Sequence, residues 1–263
     1  MNPYESPAEI SELDDRAARL AEPRELPFRS AETLTRILLG FYIALLVLNA
    51  VAVIEIEVGR YFTMQVDRVT AERDPLADEE QTERRLVQLR RGYLVSWYVN
   101  AGRVTVTYIL QLVTAAAFLV WLYTVNGNLP ALGCERIFRQ WPAVLAMLIP
   151  CVNILLSLPV MHELAAGSDP RRLNPHGYRG GRFRLLVICW WLFMVLALLC
   201  WISLVATMTD RYAQPSLPNI LRSQSIISAL QLIPLALGYL LIRNIWRDQQ
   251  LRRDLVLNNA PLT

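Results

Sequence analysis

The chain contains no lysine: all 26 of its basic residues are arginine. That skew says more about composition than chemistry, although arginine grips a lipid phosphate in a bidentate way that lysine cannot. Histidine is almost as scarce. His162-Glu163 opens like a zinc-protease helix, but the second histidine of that motif is missing, and His176 stands alone elsewhere. The four cysteines, Cys134, Cys151, Cys189 and Cys200, show neither CxxC pairing nor zinc-like spacing. On a helix Cys189 and Cys200 would stand about 16 Å apart, beyond disulfide reach. No metal, no cofactor and no disulfide framework is therefore expected. Also missing are a glycine-rich phosphate loop, a GxSxG elbow and any Asp or Glu pair within an apolar run. Their absence removes the groups that nucleotide chemistry, acyl transfer, a proton relay or an intramembrane protease would use, so a non-enzymatic protein is expected. A dispersed net charge of +3 gives no reason to expect nucleic acid as a partner.

What is present is apolar and comes in blocks: 54% of residues are hydrophobic. Five uncharged runs cover residues 37–54, 104–125, 141–161, 185–208 and 223–242. A hydrocarbon core of about 30 Å asks for about 20 helical residues, and four of the runs meet that demand directly or by borrowing from their flanks. The run at 141–161 is different because Pro142, Pro150 and Pro159 interrupt it and Asn153 lies near its middle. Pro150 has no N–H for the carbonyl of Ala146, and an orphan carbonyl in hydrocarbon is costly unless something else satisfies it. This run is either a kinked span or a re-entrant segment. The expected fold is an all-α polytopic helical bundle of about five hydrophobic segments.

Outside the runs, residues 1–33 form a polar tail. No cationic start followed by an apolar core marks a cleavable signal, so the first run is expected to serve as the insertion signal. Ser6-Pro7-Ala8-Glu9 has the form of a capping box, with Ile10, Leu13, Ala17 and Leu20 following at helical spacing, which predicts a short amphipathic helix. The long connection at 55–103 carries a second helix start at Asp74-Pro75, an i,i+4 pair of Glu80 and Arg84, and a stripe of Leu86, Leu89, Tyr93 and Trp97. That stripe predicts an amphipathic helix resting on the membrane surface, with a solvated helical hairpin as the alternative. Residues 247–263 are expected to be a C-terminal tail.

Arginine counts give the orientation. Five full spans divide the arginines 17 to 9, with the N-terminus outside; a re-entrant third segment divides them 16 to 10, with the N-terminus inside. Both arrangements place the C-terminal tail in the cytoplasm.

The stretch FLVWLYTVNGNLPALG at 118–133 resembles a bacterial membrane family catalogued as domain of unknown function 4328, whose pattern runs from an apolar helix ending in Trp-Leu-Tyr to Asn-Leu and Leu-Gly. WPAVLAMLIPCVNILLSLPVMHELAAGSDP at 141–170 continues the likeness, as do the paired Trp190 and Trp191. The resemblance covers about 150 residues, from near Gln88 to Arg243. The chain departs from the family where Leu158-Pro159-Val160 stands for Arg-Pro-Tyr, and where Gly127 and Pro130 replace basic positions. The resemblance implies a multi-pass protein of the bacterial inner membrane, and an architecture without a chemistry.

The neutral polar residues of the runs are Asn49, Gln111, Thr114, Asn153, Ser157, Ser203 and Gln231. Such groups most often bond helix to helix, and that is their expected role here. Pro150 and Asn153 are the candidate intramembrane polar site, because helix breaks expose backbone groups that bind small solutes or ions in transport folds. Arg171, Arg172, Arg182, Arg184 and Trp246 are candidate anchors to lipid head groups. Gly40 and Ala44 form a small-xxx-small pair that could admit a neighbouring helix, so a homo-oligomer or a protein partner joins membrane lipids among the expected partners. These features lead to a scaffold or interaction module acting through lipids or partner proteins, with a small-solute transporter or channel built around the broken third segment as the alternative.

Overall fold

The computed structural model describes residues 28–71, 79–134, 136–170, 181–209 and 217–258; the amphipathic helix expected near the N-terminus lies outside them. Six α-helices follow in order: α1 (Glu32–Ala71), α2 (Glu79–Gly127), α3 (Gln140–Leu148), α4 (Pro150–Ser168), α5 (Gly181–Thr209) and α6 (Leu217–Asn258), with a 3-10 turn at Pro130–Leu132 between α2 and α3. No strand occurs among the described residues. By length and composition α1, α2, α5 and α6 can each cross a membrane, which gives four candidate spans among the described residues.

The third apolar run is not one of them. It is two helices of 9 and 19 residues joined at Ile149, whose backbone is extended (φ −86°, ψ 114°). Pro150 opens α4, a position where its missing N–H costs nothing because the first turn's amides have no helical acceptor. Pro159 lies inside α4 and Pro234 inside α6, and each leaves one carbonyl without its i+4 donor.

The two limbs α3 and α4 leave from and return to the same end of the bundle. The Glu163 carboxylate, late in α4, accepts the backbone N–H of Ile137 at 2.5 Å and of Phe138 at 3.1 Å, both just before α3. The Cys134 thiol donates to the Gly167 carbonyl at 3.2 Å. At its 9 residues α3 rises only about 14 Å, roughly half of a hydrocarbon core.

The same end holds both described chain ends, and we call it the knot end. Arg29 N–H donates to Asn128 Oδ1 at 3.0 Å, while Asn128 Nδ2 donates back to Arg29 O at 2.9 Å. The guanidinium of Arg253 sits 5.0 Å over the ring of Phe28. Residues 247–258, within the expected C-terminal tail, continue α6, with Gln249 and Arg252 at 0% and 3% exposure. Gln249 Nε2 donates to Val125 O and to Ser168 Oγ. Arg252 donates to Leu132 O at 2.9 Å, Gly167 O at 2.9 Å and Asp169 O at 3.2 Å. These carbonyls belong to the 3-10 turn and to the last turn and cap of α4, where a cation meets the negative end of the helix dipole. Gly133 closes the turn in the left-handed region (φ 72°), which a side chain would strain.

Above the knot lies the apolar core. Leu38, Trp121, Leu122, Leu241, Ile242 and Ile245 are all at or below 1% exposure, and the Trp121 indole donates to Thr35 Oγ1 at 3.1 Å. α1 lies between α2 and α6, and α6 also packs on α5; α3 joins α2 to α4.

At the opposite, arm end the described residues of the connection at 55–103 form no separate helix but continue α1 and α2. α1 runs on to Ala71, and α2 is continuous from Glu79 to Gly127, so the two form an antiparallel hairpin arm. Nothing between Glu55 and Ala71 or between Glu79 and Arg103 breaks a helix, and the arm's inner faces meet: Leu86, Leu89 and Tyr93 are half-buried, whereas Trp97 is exposed. Glu55 and Arg103 pin its base with an ion pair of 2.6 Å.

Candidate functional site

Between the arm base and the apolar core lies a cavity of about 750 Å³ walled by α1, α2, α4, α5 and α6. Its depth follows from the helices that build it. Ile56, Asn100, Arg103 and Gln224 line the arm end, while Tyr42, Trp190 and Pro234 line the end nearer the core. The floor is tight at Gly238, where an added Cβ would stand 2.8 Å from Tyr42 Cε1 and 3.3 Å from Trp190 Nε1. Only glycine lets α6 approach those rings so closely.

Of the seven polar residues singled out in the sequence, five line this cavity: Asn49, Gln111, Asn153, Ser157 and Gln231. Thr114 is spent on its own helix, donating to Leu110 O at 2.7 Å, and Ser203 is exposed. Of the five, Asn153 makes an expected helix-to-helix bond, from α4 to Met147 O in α3, and among the described residues the other four do not. Gln111, Ser157 and Gln231 have no hydrogen bond among the described residues, and neither do the lining residues Gln224 and Ser228. Asn49 uses its Nδ2 on Leu45 O in its own helix. Amides and hydroxyls left uncommitted in such a place are costly unless water or a ligand occupies it.

The Pro150 break and Asn153 are used structurally. Asn153 Nδ2 donates to Met147 O at 3.0 Å, and its backbone N–H to Ile149 O at 2.7 Å, so the break supplies the donor for a carbonyl that the end of α3 would leave bare. The Trp191 indole donates to Ile154 O at 2.9 Å and ties α5 to the hairpin tip.

Sequence reasoning missed Arg103, Glu55, Asn100, Thr107, Gln224 and Ser228. Arg103 and Glu55 were legible only as charges flanking apolar runs, because pairing residues 48 positions apart needs the antiparallel register of α1 and α2. Arg103 Nε donates to Glu55 Oε2, and Nη2 to Asn100 Oδ1 at 2.5 Å, so the carboxylate offsets the charge that Arg103 brings to the cavity wall. Farther along the arm, Glu57 is held below the usual carboxylate range by the Ser225 hydroxyl first and Arg60 second.

The proposed lipid anchors are dispersed. Arg171 and Arg172 lie outside the described residues, as does the Arg182 side chain; Arg184 is exposed at the start of α5, and Trp246 is half-buried against the core. Gly40 faces open space, with nothing within 4 Å of an added Cβ.

The model of one family, a domain of unknown function (DUF4328), matches residues 94–247, more than half of the chain. The chain belongs to the DUF4328 family. The DUF4328 match takes in the base of the arm, the α3–α4 hairpin, α5 and most of α6. It therefore holds the cavity walls from α2, α4, α5 and α6, whereas Tyr42, Asn49 and Ile56 come from α1, outside the match. No curated protein and no solved structure matches the chain.

Proposed function

We propose that this DUF4328 protein is a non-enzymatic, four-span protein of the bacterial inner membrane that binds a small molecule in the cavity between its arm and its core. The supporting observation is the set of uncommitted amides and hydroxyls, Gln111, Ser157, Gln224, Ser228 and Gln231, gathered on one space of about 750 Å³. That volume is in the range of sites for drug-sized ligands, and a mostly apolar wall with a few polar groups is their usual make-up. An open pore is disfavoured because the fully buried residues around Leu38 and Trp121 close the knot end. The same reading favours the re-entrant arrangement, in which the knot end, with both chain ends, carries 16 arginines and is cytoplasmic, and the arm end faces out.

Unfolding of the purified protein, followed by tryptophan fluorescence against a panel of neutral solutes and lipids, tests the reading. A ligand at a hundred times its Kd should stabilise the wild type by about 2.7 kcal/mol and should not stabilise Ser228→Trp, which fills the space. If every compound shifted both proteins equally, the cavity would not be a binding site. Thiol reporters at Asp78 and Leu262 test the orientation, with Asp78 expected outside and Leu262 inside.

A second reading, the scaffold, draws on the arm, where Tyr61, Met64, Leu94, Trp97 and Tyr98 are exposed. Exposed aromatic residues of this kind mark partner surfaces. Loss of a copurifying protein on changing Trp97 and Tyr98 to serine would favour it, and an unchanged pull-down would count against it.

A further inference from the structure

We infer that the cavity is loaded sideways from the bilayer, and that its occupant is a lipid-like amphiphile with an uncharged, hydrogen-bonding head. The inference rests on the small-molecule reading above and adds to it the route and the class of ligand. The route follows from which walls touch. α1 packs closely on α2 and on α6, and α6 on α5, whereas no comparable packing joins α2 to α5, although both line the cavity. The wall is therefore weakest between them, which is where we place the opening, and Asn153, Ile154 and Ser157 near the tip of the α3–α4 hairpin line the same cavity.

The residues at this opening identify the medium outside it. Tyr108 on α2 and Met194, Leu198 and Trp201 on α5 line the cavity and are also exposed, Tyr108 at 58% and Trp201 at 47%. All four lie within the uncharged runs 104–125 and 185–208, so the opening meets acyl chains and not water. A solute arriving from hydrocarbon must carry its own apolar body.

The interior sets the head. Beyond the opening stand Gln111, Ser157, Ser228 and Gln231, all neutral and all without partners among the described residues. Among the described residues Arg103 is the one charged residue lining the space, and Glu55 and Asn100 already engage it. A phosphate-bearing head would meet Glu55 together with Arg103, whereas a hydroxyl or carbonyl head loses nothing there. The shared chemistry is that of a diacylglycerol: hydroxyl and ester groups on an apolar body that remains partly in the bilayer.

The test uses the full chain in phosphatidylcholine vesicles with a trace of one of two photoactivatable lipids of identical chains, a diazirine diacylglycerol or a diazirine phosphatidic acid. Crosslinking by the diacylglycerol probe should map to Trp190–Trp201 and Ser228–Gln231, exceed that of the phosphatidic acid, and fall about tenfold in Ser228→Trp, the change expected if filling costs about 1.4 kcal/mol of binding. Ala197→Phe, which fills the space from α5, is the second variant, and size-exclusion chromatography confirms that each variant is folded. Equal crosslinking of wild type and both filled variants, or a preference for phosphatidic acid, would overturn the inference. Labelling of Gln231→Cys by a membrane-impermeant maleimide, with no lipid crosslinking, would overturn sideways loading and leave a water-fed cavity in place. Absence of both signals would remove the cavity reading as well.

Discussion

Replacing Arg252 with methionine isolates what a buried cation does at the knot end. Arg252 is 3% exposed and donates to the carbonyls of Leu132, Gly167 and Asp169, so it is the shared cap of two chain segments that end beside each other. Methionine keeps most of the aliphatic stem and removes every donor. A hydrogen bond from a charged donor contributes about 1.5 to 3 kcal/mol, so three would suggest a loss of about 5 to 9 kcal/mol if they added. They do not add: Gly167 O retains the Cys134 thiol, and carbonyls near the surface can recover water. A loss of about 3 to 5 kcal/mol is expected, the range seen when one side of a buried charged contact is removed. The neighbour supplies the contrast. Gln249→Leu also loses two bonds, but Gln249 Oε1 is already buried without a partner among the described residues, and removing it relieves a cost of similar size. That variant should lie within about 1 kcal/mol of wild type. Unfolding of both variants in mixed micelles by titration with a denaturing detergent, followed by helix content, gives the two differences. If Arg252→Met proved no more damaging than Gln249→Leu, the capping role would be wrong.

Four further outcomes are expected. Glu55→Leu should cost about 2 to 3 kcal/mol, because it leaves Arg103 at 11% side-chain exposure without its carboxylate, and adding Arg103→Met should recover at least half in the same unfolding assay. Gly238→Ala should destabilise by about 1 to 2 kcal/mol despite alanine's better helix propensity, since its Cβ would stand 2.8 Å from Tyr42; in a Tyr42→Leu background the sign should reverse in thermal unfolding. Asn153→Leu should cost about 1 kcal/mol for the lost cap on Met147 while ligand-induced stabilisation persists, and loss of that stabilisation would return Asn153 to the binding groups. Because Glu57's carboxyl is held low, its contribution is present above the ordinary carboxylate pKa and is lost as pH falls through the lower folded value; the stability gap between wild type and Glu57→Gln should therefore narrow on acidification.

The sequence made the spanning helices legible because an uncharged run of spanning length has few alternatives, and four of the five runs lie in the four membrane-length helices. It could not show where those helices stop. Hydropathy changes at Glu55 and at Arg103, but the helix does not, since leaving lipid is no reason for a backbone to uncoil when the facing helix covers it. The three prolines of the third run gave warning of a break without saying which would act. Pro150 starts a helix and Pro159 lies within one; the difference is that Ile149 is extended and Asn153 is placed to cap the end of α3. Half the site was readable as polar residues in apolar runs. The other half, Arg103, Glu55, Gln224 and Ser228, depended on register between distant helices. Gln249 and Arg252 read as tail because polar residues after a span usually face water, and only the fold shows them plugging backbone groups.

The unbroken course of α2 has a mechanical consequence. A helix of 49 residues, about 73 Å long, has no joint at the point where it leaves the bilayer. Its outer portion extends past the Glu55–Arg103 pair, and its inner portion supplies Tyr108 and Gln111 to the cavity wall. Under the sideways-loading proposal, a force that tilted the outer portion would move that wall as well, so a load applied well outside the lipid would be felt at a doorway within it.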